Sequence, residues 1–106
     1  MKEIRIYFGR QKGDGEIVSE DDFWYFIKFH LLNYRCFENF TIIPSIGVWK
    51  QEKELSTILE FIIEGTKQEE LLIEEVCKKY CTLFQQQSVL VTTKEVKSIL
   101  YESTGK

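Results

Sequence analysis

The chain has 106 residues, 43% of them hydrophobic, with eight Phe, five Tyr and two Trp, which describes one folded domain over 1–106 and excludes a disordered segment. The formal net charge is −3 and the basic residues are scattered, Lys78–Lys79 being the one adjacent pair; this excludes the dense cationic surface that nucleic acid requires. Apolar runs are only a few residues long, so no membrane-spanning helix and no membrane partner are expected.

The opening "MKEIRIYFGR" lacks an apolar h-region and a small-residue cleavage site, and the three Cys make no dense framework. A cytoplasmic protein with reduced thiols is the expectation. Alanine is absent while Ile, Glu and Lys are frequent, a bias expected of an AT-rich bacterial, phage or plasmid gene.

In chain order, "EIRIYFGR" alternates Ile4, Ile6 and Phe8 against Arg5, Tyr7 and Gly9, the period of a strand with one buried face. "QKGDG" is a loop. Ser19 followed by Glu20, Asp21 and Asp22 is an N-cap with acids in the first helical turn. The helix that follows puts Phe23, Phe26, Ile27, His30, Leu31 and Tyr34 on one stripe. Trp24, Tyr25, Phe29 and Leu32 fall outside it. Apolar residues thus cover more of the circumference than one core face needs, so a second surface is expected over this helix.

"FTIIPSIGVWK" is the second strand, placed at a sheet edge because Pro44 donates no ladder hydrogen bond. "KQEK" turns the chain into "ELSTILEFII", apolar on both faces as a central strand should be. Gly65 ends it, and Thr66 with Glu69 forms a capping box. The second helix runs to about Gln86 and buries Leu72, Ile73, Val76, Tyr80 and Leu83 or Phe84. "SVLVT" is a fourth strand. Thr92 with Glu95 repeats the capping signature and predicts a short C-terminal helix held by Val96, Ile99 and Leu100. The order β-α-β-β-α-β is ferredoxin-like: a four-stranded antiparallel sheet, both helices on one face and the other face open.

Gly47 and Trp49, then Glu54 and Ser56, resemble an uncharacterised bacterial domain-of-unknown-function family. That family joins a Gly-x-Trp strand end to a Glu-x-Ser strand start, in a fold like the dimeric α+β barrels. Its junction before the last strand is matched in "FQQQSVL" by Phe84, Gln86, Ser88, Val89 and Leu90, with Gln85 and Gln87 departing from it. "IYFGR" and "GEIVSEDDFWYFI" also look like its first strand, glycine loop and first helix. The resemblance spans residues 4 to 91. It implies the fold and carries no activity.

On this topology the open face presents Arg5, Tyr7, Ser56, Ile58 and Glu60, with Trp49 expected nearby and Arg5 opposite Glu60. An Arg, a Tyr and an acid beside a Trp suit a small polar or anionic ligand, or a protein partner anchored on the Trp. His30 sits on a core stripe, where a structural role outweighs catalysis. Cys77 and Cys81 lie one turn apart, with neither a second Cys pair nor a second His to complete a zinc site; Cys36 falls in a loop. Arg10 and Lys12 lie in a glycine loop that fails both phosphate-loop fingerprints and reads as solvated. No cofactor and no metal are expected.

The reading is a non-enzymatic binding or interaction module, homodimeric, binding a small polar ligand or a protein partner on the open face. A phage- or plasmid-encoded sequestering protein is one version. The alternative is a small cofactor-independent enzyme of the dimeric α+β barrel type acting on an aromatic or keto substrate, with His30, Tyr7 or Glu60 as its acid or base.

Overall fold

The structure is a computed structural model that describes residues 1–32, 37 and 39–103, Trp49 by its backbone alone. Tyr34, Cys36 and the Trp49 side chain lie outside the described residues. The elements are β1 (Lys2–Gly9), α1 (Glu20–His30), β2 (Thr41–Trp49), β3 (Glu52–Ile63), α2 (Lys67–Leu83) and β4 (Leu90–Glu95). They form a four-stranded sheet of order β2-β3-β1-β4, antiparallel throughout. This is the ferredoxin-like arrangement, with Pro44 on an edge strand as its missing N–H requires.

Period-two alternation sorts the strand residues. Ile4, Ile6 and Phe8 of β1 and Leu59, Phe61 and Ile63 of β3 are buried in one cluster with Phe23, Phe26 and Ile27 of α1 and Ile73, Val76 and Tyr80 of α2. Both helices therefore cover the same face. Tyr80 is the hub, its ring centroid 4.6 Å from Phe8 and 5.3 Å from Phe26. Burying each such side chain contributes about 1.5–3 kcal/mol.

The helix starts follow their local chemistry. Ser19 Oγ accepts from Asp22 N at 3.1 Å. Thr66 Oγ1 accepts from Glu69 N at 3.2 Å while Glu69 Oε1 accepts from Thr66 N at 2.8 Å, a complete capping box. Gly65, at φ +88°, makes the turn into α2 and lends its N–H to the same carboxylate at 2.9 Å. Lys50 and Gln51 link β2 to β3 with φ of 48° and 68°, the doubly left-handed turn that matches strand twist.

One element differs from expectation. Thr92 and Glu95 do not cap a helix: they lie in β4, paired with Arg5 and Lys2, and residues 96–103 have no helical structure. The free edge of β1 offers a whole row of hydrogen bonds, and Thr-rich sequence suits a strand better than a helix. After β4 the backbone makes one more bond, Val96 N to Met1 O at 3.0 Å.

The exposed apolar back of α1 is present as its pattern implies. Tyr25 is 69% exposed and Phe29 57%, their rings stacked at 6.2 Å. By contrast α2 carries Glu74–Lys78 and Glu75–Lys79 pairs on its outer surface. Among the described residues nothing lies within 4 Å of where a Cβ on Gly47 would stand, so they make no close approach there.

Candidate functional site

The uncovered face carries the other residues of the same strands. Register places Arg5 opposite Glu60 and Thr92, and Tyr7 opposite Ile58 and Leu90, with Ile43 beyond Ile58 on β2. Arg5 Nε donates to Glu60 Oε2 at 2.7 Å and stands 3.4 Å from Glu3 Oε1. The hydrogen bond with the Tyr7 side chain, then the bond to and charge of Glu60, push the Arg5 guanidinium further up from its ordinary range. Arg5, Tyr7 and Glu60 are thus assembled.

Ser56 and Trp49 are not part of that cluster. Ser56 lies four positions along β3 from Glu60, opposite Gly9, about 13 Å away at strand rise, and its hydroxyl donates to Phe8 O at 3.3 Å. Trp49 pairs with Glu52 at the hairpin end, roughly 26 Å from Glu60 along the strand. The Trp is therefore no neighbour of the ion pair, because sequence proximity of Gly47–Trp49 to Glu54–Ser56 reflects the turn and not the sheet centre.

His30 belongs to the other side of the sheet, on α1, with ring centroids of Phe26 and Phe29 at 4.5 and 5.0 Å. Desolvation, then the Lys79 charge, lower its pKa from the usual 6.5. The sheet separates it from Tyr7 and Glu60, so these acid–base candidates form no common centre.

Arg10 departs from its solvated-loop reading: it is buried at 5% exposure. Its Nη2 and Nε donate to Val18 O at 2.6 and 3.1 Å, its Nη1 to Thr57 Oγ1 at 2.9 Å. Glu20 approaches at 3.3 Å, and the guanidinium carbon lies 4.6 Å over the Phe23 ring. These partners tie the glycine loop to the sheet and leave the cation committed internally.

A groove that sequence did not reveal lies between α2 and the β1–β4 side of the sheet, with a volume of about 870 Å³ and a lining that includes Ile4, Ile63, Ile73, Cys77, Val89 and Val91. Lys2–Glu70 at 3.9 Å and Lys78–Glu74 at 2.8 Å stand at its rim. Cys77 and Cys81 are free, half-buried thiols; desolvation and then Cys81 push the Cys77 thiol up to about 12, which disfavours the thiolate. Among the described residues no three His, Cys, Asp or Glu side chains are grouped to hold a metal. No helix among the described residues is long and apolar enough to cross a membrane.

Residues 3–99 match the family model described as "Protein of unknown function (DUF3574)". The chain belongs to the DUF3574 family. None of the curated proteins matches it by sequence. Among solved structures, this DUF3574 chain is similar to a phage SAM lyase in complex with S-methyl-5'-thioadenosine, with TM-score 0.66 and 21% identity over 89% of this chain and 80% of the other. A phage SAM lyase in the apo state gives TM-score 0.62 and 19% identity over 95% and 92% of the two chains. Protein At3g17210 from Arabidopsis thaliana gives TM-score 0.56 and 17% identity over 95% and 100%. At these identities the likeness shows a shared fold.

Proposed function

We propose that this DUF3574 protein is a non-enzymatic binding and interaction module whose open sheet face docks on a second copy of the chain. The observation that carries this reading is the Arg5–Glu60 pair at 2.7 Å. With Arg5 engaged by Glu60, Tyr7 and Glu3, little unpaired charge is left for an anionic ligand. What surrounds the pair is apolar surface, Ile43 and Ile58 half-exposed and Ile62 and Leu90 exposed. A two-fold contact would set each copy's Arg5 against the other's Glu60, which is self-complementary. Free Cys77 and Cys81 support a reducing, cytoplasmic setting, and the phage proteins among its structural neighbours support a phage-type small protein.

Native mass spectrometry of gently purified protein tests the reading. An oligomer whose order Ile58→Arg lowers without unfolding the chain is the expected result; a wild-type monomer at micromolar concentration, or an oligomer that Ile58→Arg leaves unchanged, overturns it. Extra mass lost on denaturation would instead favour a small polar ligand at the assembled Arg5, Tyr7 and Glu60 cluster.

The enzymatic reading is favoured by one observation, the fold shared with a phage SAM lyase over 89% of the chain. It shifts the candidate substrate from an aromatic or keto compound to S-adenosylmethionine. Incubation with S-adenosylmethionine and chromatography for S-methyl-5'-thioadenosine decides it; no product above the buffer control removes this reading.

A further inference from the structure

We propose that residues 96–103 dock into the α2–β4 groove of a second copy, by a contact separate from the open sheet face. Beyond the Val96–Met1 bond the segment carries Ile99, Leu100 and Tyr101 at 59%, 82% and 86% exposure. Three consecutive large apolar side chains in water are a binding determinant without a core of their own. The same molecule holds an apolar groove open between Ile73, Cys77, Val89 and Val91.

The two are chemically matched. Lys97 and Glu102 flank the apolar triplet, and the groove rim bears both signs in Lys2, Lys78, Glu70 and Glu74. Within one chain the match goes unused. The Cα radius of gyration is 15.0 Å and the long axis 51 Å, against about 13 Å expected for the radius of a compact domain of this length. Residues 97–103 are exposed, while the groove, whose lining reaches Thr93 close to their point of departure, stays open. Each copy thus presents one apolar segment and one groove, so reciprocal exchange satisfies both and closes a two-fold pair.

The thiols in the groove supply the assay. The full chain carrying Cys36→Ser and Leu100→Cys is oxidised with copper phenanthroline at micromolar concentration, run without reductant and mapped by peptide mass spectrometry. A covalent dimer linked from position 100 to Cys77 or Cys81 of another copy is expected, and it should persist when Ile58→Arg is added. A link formed within one chain overturns the proposal, because the segment then closes its own groove. So does the absence of any link to Cys77 or Cys81. Loss of the link on adding Ile58→Arg overturns the claim of a separate contact while leaving the sheet-face reading intact.

Discussion

Neighbouring residues of β1 and β3 meet opposite surroundings. Ile6, Phe8 and Leu59 have no exposed surface, while Arg5, Tyr7, Ile58 and Glu60, one position away, are half-exposed. Backbone geometry and ladder bonds are the same on both sides. The difference is that, among the described residues, two helices reach one face and none reaches the other. A single pattern therefore specifies a core and a free surface at once, and side-chain loss on the two faces should be read by different measurements.

The largest effect expected is on the covered side. Phe8→Ala removes the ring packed on Phe23 and Tyr80 and should cost about 3–5 kcal/mol in urea unfolding, whereas Ile58→Ala should cost below about 1 kcal/mol in the monomer. Comparable losses would break the contrast. Next comes Arg10→Met, which strips charged hydrogen bonds from Val18 O and Thr57. A loss of about 2 kcal/mol is expected, with faster proteolysis of the glycine loop. Arg5→Met on the open face should change the urea midpoint little at concentrations where the chain is monomeric, since exposed ion pairs contribute little, yet alter assembly in native mass spectrometry at higher concentration.

The smallest effect is a pH slope. The folded-state pKa of His30 is depressed, so the unfolded chain binds the proton first. Its contribution to stability is present above the unfolded value near 6.5 and is lost as pH falls through 6.5 to the depressed pKa. His30→Gln should flatten that acid-side decline in urea midpoints; an unchanged slope would show that His30 does not produce it.

Much of the fold was legible because its signals are local. Ser19 and the Thr66–Glu69 box needed only their neighbours, and Pro44 declared an edge through its missing donor. The Arg5–Glu60 contact followed once the strand order was known. What escaped depends on distant partners. Thr92 and Glu95 imitate a cap, and only the vacant edge of β1 makes them strand. Arg10 sits in a polar loop with no periodicity, and its burial is created by Val18 O and Thr57, the latter 47 residues away. The α2–β4 groove arises from where a helix comes to rest, which no residue spacing encodes. Nearness in sequence suggests Trp49 beside the ion pair, whereas antiparallel register carries it to the far end.

The position of β1 has a consequence for how the molecule is made. β1 is made before both of its neighbours in the sheet, and Lys2 meets Glu95 only at the other end of the domain. The β2–β3 hairpin can form locally, but β1 waits with both edges unpaired until β3 is made, and with one edge open until β4 arrives. Loop closure of that span is slow, and the waiting strand is open to wrong partners. Chaperone contact during translation should concentrate on "EIRIYFG", and slow refolding should trace to the arrival of β4.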